Sequence, residues 1–366
     1  MKKILFITPF EPSKRTGGQN FTRLLLRDLS KNNKVDLIMF LNKKADFELP
    51  KINTTLLRVF YVKKLIKFFN ILMIPFCFPF FSSRFNIYYL LIINKYVRKG
   101  EYDYIYIDYS QLFIYGIFFP NTKKILMSHD IILQRYQRKS SRMISYFCAL
   151  SEAGILRRQI NSKVFTFSKK DSDILLHKYN IHSIITSFYL EIPTSYKINN
   201  LFNRIVLFGS WKRNDNLEGL LWFLEYIQPK LNDSIEITII GGGLKDSIIR
   251  NISKLNNTKY LGFVPEPSQI ISESKALIAP IFHGAGVKVK VIESLALGTT
   301  VIGTEIAFEG VPLEFSEYML IANNIDDFVQ IINQYDTDID NKRRLQSNFS
   351  ANYINHSISE YINFGK

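Results

Sequence analysis

The segment with the clearest chemistry is a glycine-rich loop that leads directly into a helical pattern. It runs as HGAGVKVKVIESLALG over residues 283–298. The first backbone N–H groups of a helix have no partner inside the helix, and the helix dipole favours negative charge at that end. A loop of this kind therefore predicts an anion site whose dimensions suit a diphosphate.

Side chains of the same segment could complete such a site. Lys288 and Lys290 would add positive charge beside the loop, and the carboxylate of Glu293 could accept two hydroxyl hydrogen bonds from a ribose. The pattern predicts a helix over 287–297, and Gly298 fits the position after its end, where a left-handed residue is common. The spacing alone leaves a second interpretation open, in which this is an ordinary strand–turn–helix with solvated lysines.

Alternating strand and helix patterns supply the elements that must position these residues. Short continuous apolar runs are typical of buried parallel strands. In the first half they predict strands at 4–8, 35–40, 104–108, 124–127 and 164–167. In the second half they predict strands at 205–208, 235–240, 260–263, 276–279 and 300–303. We therefore predict an α/β fold of two domains with a cleft between them, with ligands beyond the carboxyl ends of the strands.

The chain has 366 residues, a length that favours two domains. A polar stretch with Pro193, over about 191–203, is interpreted as the linker. We place the domains at 1–192 and 193–366, and a C-terminal helix at 345–366 could pack back on the first domain.

Charge and cysteine content restrict the function classes. The net charge is +15, which favours anionic partners such as nucleic acid, anionic lipid or phosphorylated substrates. Zinc-finger spacing and an aromatic RNA-binding signature are missing from the sequence, so we predict no nucleic-acid partner. The turn Gly241-Gly242-Gly243 lacks the third glycine of a dinucleotide fingerprint, because Asp246 stands there. The two distant cysteines predict no disulfide framework and no metal cluster. Together with an N-terminal apolar run too short for a signal peptide, they predict a cytoplasmic protein.

Residues 61–100 are unusually aromatic and basic. The run is interrupted by Pro75, Pro79, Ser82, Ser83 and Arg84, which argues against a membrane-spanning helix, since a span needs about 20 apolar residues. Two interpretations stay open: helices that pack on the first sheet, or a surface that dips into the lipid interface, where aromatic residues and lysines occur together.

The segment at 283–298 resembles the donor-binding region of glycosyltransferase family four, the group 1 glycosyltransferases, which use the GT-B fold of two Rossmann-like domains with parallel sheets facing a central cleft. Other segments resemble this family too: FGSWKRNDN at 208–216 its first donor-domain loop, IGGG at 240–243 the next strand and turn, and GFV at 262–264 the strand that meets the nucleobase. FSKKD at 167–171 and the pair Gly17-Gly18 resemble acceptor-domain segments. The resemblance covers nearly the whole chain and is more specific in the second half.

The resemblance implies a retaining, metal-independent transferase. Its substrates would be a nucleoside-diphosphate sugar and a saccharide or polyprenyl-linked acceptor, with no cofactor and no bound metal. It makes the first domain acceptor-binding and the second donor-binding. The basic, aromatic first domain suits assembly of a bacterial envelope polysaccharide, with possible peripheral contact with an anionic membrane at its cytoplasmic face.

The resemblance also implies site residues. Three are assigned to catalysis: His129, which would face the transferred sugar, Lys212 and Lys290. The donor-binding set is Gly17, Gly18, Gly209, Arg213, Asn216, Gly242, Phe263, Val264, Gly284, Ala285, Gly286, Val287, Lys288 and Glu293. The family's phosphate-binding Arg and Lys pair has several candidate matches here, namely Lys212, Arg213, Lys288 and Lys290. For His129, a histidine satisfied by local backbone bonds is the alternative.

The sequence departs from the family pattern at one position. Many members carry two glutamates separated by seven residues. Glu293 matches the second, whereas Ala285 occupies the place of the first, so the usual contact to the transferred sugar is missing. A catalytically silent nucleotide- or sugar-binding protein with the same fold is therefore the alternative hypothesis.

Overall fold

Two α/β units make up the computed structural model, which describes residues 1–44, 47, 49–190, 198–353 and 358–365. The first unit comprises Met1–Tyr189 with Asn355–Lys366, and the second comprises Leu190–Ile354. The predicted boundary between residues 192 and 193, and the part of the predicted linker at 191–197, lie outside the described residues.

The first unit is built on a seven-stranded parallel sheet in the order β3-β2-β1-β4-β5-β6-β7. Its strands are β1 (Lys3–Thr8), β2 (Lys34–Leu41), β3 (Thr54–Tyr61), β4 (Tyr104–Asp108), β5 (Lys123–Ser128), β6 (Ser162–Thr166) and β7 (Ser183–Ile185). Its helices are α1 (Gly17–Asn32), α2 (Lys64–Met73), α3 (Pro79–Ser82), α4 (Ile87–Gly100), α5 (Phe113–Gly116), α6 (Ile132–Lys139), α7 (Arg142–Arg157) and α8 (Lys169–Tyr179).

The second unit has a six-stranded parallel sheet in the order β10-β9-β8-β11-β12-β13. Its strands are β8 (Phe202–Phe208), β9 (Glu236–Ile240), β10 (Thr258–Gly262), β11 (Ser274–Ala279), β12 (Val301–Gly303) and β13 (Met319–Ile321). Its helices are α9 (Asn214–Trp222), α10 (Asp246–Ile252), α11 (Ser268–Ser272), α12 (Val289–Ala296), α13 (Ile325–Gln334) and α14 (Ile339–Asn352). A last helix, α15 (Ile358–Phe364), belongs to the first unit.

The topology fixes where ligands can bind in each unit. Strand order reverses at β1 and β4 in the first sheet and at β8 and β11 in the second. At such a reversal the connecting loops diverge and leave a crevice beyond the carboxyl ends of the strands. Each unit therefore has one such edge, and the candidate residues are to be sought there.

All ten strands predicted from apolar runs are present, whereas β3, β7 and β13 were not predicted. These three strands lie at or next to a sheet edge and are weakly buried. Only Phe60 of β3 is buried, and β7 and β13 have three residues each. Continuous apolar runs mark strands buried on both faces, so edge strands escape that test.

The stretch 345–366, expected to form one helix, contains the end of α14 and all of α15. The two helices serve different cores. Leu345 and Phe349 of α14 are buried with the second sheet. In α15, Ile362 is buried, the Ser359 hydroxyl donates to Asp28, and Asn363 accepts from Asn33 at 3.1 Å. No helix among the described residues is long and apolar enough to cross a bilayer.

Candidate functional site

In the first unit, His129 lies just beyond β5 and is held by Asp108 at the end of the neighbouring strand β4. The ring Nε2 is 2.8 Å from Asp108 Oδ1. Because a carboxylate oxygen accepts, Nε2 is the donor of this bond. The alternative of a histidine satisfied by local backbone bonds is therefore wrong: a side-chain carboxylate from another strand orients the ring.

Asp108 is fully buried and is the centre of a hydrogen-bond network. Its Oδ2 accepts from Thr22 Oγ1 at 2.6 Å and from Thr8 Oγ1 at 3.2 Å, and its Oδ1 also accepts from Tyr106 Oη at 3.4 Å. Burial of an ionised carboxylate is costly unless donors surround it. Here three hydroxyls and one imidazole do so, and the charge is compensated inside the protein.

Aromatic rings also hold the plane of the His129 imidazole. Its ring stacks on Tyr109 with centroids 3.6 Å apart and planes 2° apart, and the edges of Phe21 and Phe167 pack against it. A Cβ placed on Gly18 would lie 2.1 Å from Tyr109 Oη and 3.6 Å from His129 Nδ1. Gly18, in the first turn of α1, therefore lets this helix lie close to the rings of Tyr109 and His129.

Gly17 is the first residue of α1, which is capped by Thr16, whose hydroxyl accepts from Gln19 N at 3.3 Å. The predicted pair Gly17-Gly18 and the predicted His129 thus meet at the reversal of the first sheet. Sequence reasoning missed Asp108, Tyr109 and Thr22. An aspartate at the carboxyl end of an apolar strand, one strand from a histidine in the same position, was the available signal.

In the second unit, two glycine loops pack backbone against backbone beyond β8 and β9. A Cβ on Gly241, whose φ is +125°, would lie 1.8 Å from the Gly209 carbonyl oxygen. A Cβ on Gly243 would lie 2.5 Å from Lys212 Cγ. The N–H of Trp211 donates to Gly242 O at 3.0 Å. These contacts place the exposed side chains of Lys212 and Arg213 at the carboxyl edge of the sheet.

The loop after β11 has left-handed backbone at Gly284 (φ +122°) and Gly286 (φ +73°), and Ala285 lies between them. Helix α12 begins at Val289, two residues later than predicted, so Val287 belongs to the loop. The reason is that Lys288 is in extended conformation and acts as the N-cap residue. Its side chain turns back to donate to Gly286 O at 2.6 Å and lies 4.0 Å from the Glu309 carboxylate.

Positive charge converges around Lys290. Its ammonium donates to Asn216 Oδ1 at 3.3 Å. Burial, followed by the charges of Arg213 and Lys288, lowers the pKa of Lys290 to about 7. Like charges held near a desolvated ammonium disfavour its protonated form, and an anion bound here would reverse that effect.

Glu293 lies one turn after Lys290 on α12. Burial raises the pKa of its carboxyl group to about 7. On one helical face, the pKa of an amine is thus lowered to about 7 and the pKa of a carboxyl group is raised to about 7. Perturbed pKa values of this kind cluster at functional sites.

The other predicted donor-site residues lie around the same edge. Phe263 follows β10 and is 75% exposed, whereas Val264 packs on the core behind it. A Cβ on Gly242 would have room, with Phe263 Cβ 3.7 Å away. The structure therefore collects two sets. The second unit gathers Gly209, Lys212, Arg213, Asn216, Gly242, Phe263, Val264, Gly284, Ala285, Gly286, Val287, Lys288, Lys290 and Glu293. The first unit gathers Gly17, Gly18 and His129.

Comparison with known proteins gives matches of two kinds. The family model described as "Glycosyl transferases group 1" matches residues 203–338. An "Uncharacterized 44.6 kDa protein in cps region" of Klebsiella pneumoniae is 26% identical over 273 residues, which are 68% of this chain and 69% of that protein.

Solved structures share the architecture. WaaG, a glycosyltransferase involved in lipopolysaccharide biosynthesis, superposes with a TM-score of 0.66 at 11% identity, over 99% of this chain and 100% of that one. Anabaena Alr3699/HepE in complex with UDP-glucose gives a TM-score of 0.64 at 15% identity, over 96% and 94% of the two chains. At such identities the likeness shows the fold, and it confirms the predicted fold class.

Proposed function

We propose that this chain catalyses a retaining transfer of a sugar from a nucleoside-diphosphate sugar to a saccharide or lipid-linked saccharide. Residues 203–338 match the model of the group 1 glycosyltransferases, and the fold is GT-B. That the chain is a glycosyltransferase is the premise; the donor, stereochemistry and acceptor are the proposal. The observation that carries it is the Lys290–Glu293 pair, a cationic group and a carboxylate on one helix, both with a pKa near neutrality.

The donor diphosphate would lie against the glycine loop and the cations around it. Backbone N–H groups in the first turn of α12, with Lys288, Lys290 and Arg213, would supply donors and positive charge. Glu293 would accept the two ribose hydroxyls. Exposed Phe263 beside Gly242 would be available to the base. The solved structure of Alr3699/HepE is a complex with UDP-glucose, and we extend that base to this chain.

In the proposed reaction the bond between the sugar C1 and the diphosphate oxygen breaks, and its electron pair leaves with the diphosphate. The acceptor oxygen bonds to C1 on the same face, and its proton passes to the leaving phosphate oxygen. Charge grows on the diphosphate during this step, so fixed cations aimed at it contribute most. Lys290 is the principal candidate, supported by Arg213, Lys288 and Lys212. No metal ion or cofactor is needed in this scheme.

His129 would face the transferred sugar, with Asp108 as a positioning residue that holds the ring by Nε2 and leaves Nδ1 on the side of Gly18. Ala285 cannot supply the carboxylate contact that many group 1 enzymes make. Within the second unit, recognition of the sugar would then rest on backbone groups of the 284–286 loop.

The proposed setting is synthesis of a bacterial cell-envelope polysaccharide on the cytoplasmic side. Two comparisons support it: the Klebsiella protein lies in a cps region, and WaaG is involved in lipopolysaccharide biosynthesis. A saccharide carried on a polyprenyl diphosphate is the preferred acceptor.

A thermal-shift panel of UDP, GDP, ADP and their glucose derivatives tests the donor site. Binding to the folded state raises the melting temperature, so we expect a rise with uridine nucleotides. Glu293→Ala should abolish most of it, while the exposed control Glu314→Ala should not. No rise with any nucleotide at millimolar concentration would overturn the donor-site assignment. A rise without release of UDP from the UDP sugar, even with polyprenyl-linked saccharides present, would favour the silent binding protein instead.

A further inference from the structure

Helix α2 presents its apolar side to solvent. Leu65, Phe68, Phe69 and Leu72 follow the i, i+3, i+4, i+7 spacing of one helical face, and each is more than half exposed. In a helix packed on a sheet, a stripe with this spacing normally faces the core. The orientation of α2 is therefore opposite to the one that its pattern predicts for a protein in water.

A buried polar residue fixes this orientation. Asn70 is completely buried; its amide donates to Ser83 O at 2.9 Å and its Oδ1 accepts from Asn86 Nδ2 at 2.9 Å. If α2 rolled to bury its apolar stripe, these three polar groups would lose their partners at a cost of about 1–3 kcal/mol each. Because Asn86 is also the N-cap of α4, the same bonds join α2 to that helix.

More apolar side chains are exposed after α2 in the chain. Phe76, in the turn that follows, is 92% exposed. Two residues later Phe78 anchors the chain to α7: its N–H donates to Ser151 Oγ at 2.9 Å and its ring packs on Phe147. On α7 a second outward stripe is formed at i, i+3 and i+7 by Met143, Tyr146 and Leu150.

The charge around this surface has one sign. Residues 49–100 contain no aspartate or glutamate, and neither do residues 131–151. Exposed basic side chains stand at the N-terminal ends of both helices: Lys63 and Lys64 at α2, and Arg142 at α7. Each stripe is therefore apolar along its helix and cationic at the N-terminal end.

We propose that this surface, the outward stripes of α2 and α7 with Phe76 between them, docks the first unit on an anionic lipid bilayer. Aromatic and aliphatic side chains would enter the boundary between headgroups and acyl chains, and the lysines and arginines would meet anionic headgroups. A second copy of the chain is the less suitable occupant, because pairing two such surfaces would bring like charges together. The proposal goes beyond sugar transfer and does not depend on it.

Vesicle co-sedimentation with the full chain tests this. We expect binding to vesicles of phosphatidylcholine mixed with phosphatidylglycerol, little binding to phosphatidylcholine alone, and weakening by salt. Phe68→Ser with Phe69→Ser should lower the partition coefficient at least about tenfold, since two exposed rings no longer reach the acyl boundary. Lys63→Glu with Lys64→Glu should lower it about thirtyfold or more.

Matched controls come from the second unit. Leu313→Ser removes an apolar side chain that is even more exposed than Phe68 and Phe69, and Lys245→Glu with Lys254→Glu makes the same change in net charge as the lysine pair of α2. Both should leave vesicle binding within about twofold of the parent. Equal losses in test and control variants would reduce the effect to net charge alone and overturn the proposal.

Two further results would also overturn it. One is a chain that stays in the supernatant with anionic vesicles at low salt. The other is a dimer, detected by light scattering, that Phe68→Ser with Phe69→Ser dissociates while vesicles bind neither form. The variants should keep the nucleotide-dependent thermal shift, so a loss of vesicle binding is separable from failure of the donor site.

Discussion

The carboxyl edges of the two sheets differ in their electrostatics. In the first unit, the carboxylate of Asp108 is buried but surrounded by donors from β1, β4, α1 and the loop after β5. In the second unit, Lys290 has Arg213 and Lys288 as like-charged neighbours, and burial shifts both Lys290 and Glu293 toward their neutral forms. The carboxylate of the first edge is stabilised by hydrogen bonds within the protein, whereas the cations of the second edge would be stabilised by an anionic ligand.

This difference suggests how the work is divided. A network satisfied by its own partners holds a ring in one orientation and contributes stability. A cluster of like charges reduces stability and is retained where it serves binding or catalysis. The first edge would therefore serve orientation and the second would serve binding of the anionic donor. Substitutions at the two edges should then change stability in opposite directions.

Lys290→Met should have the largest effect. It keeps most of the aliphatic stem and removes the charge, so we expect kcat to fall about 10²–10³-fold, the usual loss for a group that stabilises transition-state charge. The free energy of unfolding should stay equal or rise, because a desolvated charge and its repulsion by Arg213 and Lys288 disappear. Turnover of UDP-glucose and urea denaturation measure the two quantities.

Two variants bracket this experiment. Lys290→Arg keeps the charge and should recover a substantial part of the turnover, and Lys245→Met, an exposed lysine of the same unit, should change neither quantity. A Lys290→Met protein that is destabilised and fully active would contradict the contrast between the two edges.

Asp108→Asn should give the converse pattern. The amide keeps the shape of the carboxylate but offers one acceptor instead of two, and its NH₂ group faces hydroxyl or imidazole donors. We expect a loss of about 1–3 kcal/mol in the free energy of unfolding and roughly a tenfold lower kcat from a mis-set His129 ring, the scale seen when outer-shell partners are lost. The thermal shift with UDP should be unchanged.

Asp103→Asn is the matched control, since Asp103 lies just before the same strand β4 and is exposed, accepting from Lys3 N at 2.8 Å. It should cost well under about 1 kcal/mol. If both variants lower kcat equally, Asp108 has no special role in orienting His129.

The same two edges show what sequence can reveal. Most residues that lie at the second-unit edge could be named from the sequence, because the central segment of this candidate site is continuous in the chain: a glycine loop, lysines and a glutamate within residues 283–298. A local pattern of this kind carries its own positional information. Even there, the start of α12 was placed two residues early, since the extended backbone of Lys288 is set by its contacts with Gly286 and Glu309.

The first-unit site was only half predicted. Gly18, Tyr109 and His129 come from three separate segments of the chain, and only the register of β1, β4 and β5 brings them together. Without the strand order, Asp108 was one carboxylate among many. The exposed stripe of α2 was equally hidden, because its spacing is that of a core helix and only buried Asn70 shows which way it faces.

The pH dependence of donor affinity gives the smallest expected effect that tests the contrast between the two edges. The direction in which affinity changes is defined on both the acid and the alkaline side. Diphosphate binding should raise the pKa of Lys290 above its unliganded value of about 7. Below pH 7 the ammonium is already present and its contribution is complete. As pH rises above 7, binding must take up a proton, so affinity falls by at most about tenfold per pH unit until the pKa of the complex is reached.

Glu293 acts in the other direction. Ribose hydroxyls donate to the carboxylate, so binding should lower its pKa below about 7. Its contribution is complete above pH 7 and is lost as pH falls, which gives an affinity maximum near neutrality with shallow limbs on both sides. Titration calorimetry with UDP-glucose at several pH values measures the curve. Lys290→Arg should flatten only the alkaline limb and Glu293→Gln only the acid limb. If the alkaline limb of the affinity curve is unchanged in Lys290→Arg, or the acid limb in Glu293→Gln, another group takes up or releases that proton. The electrostatic contrast between the two edges would then be wrong.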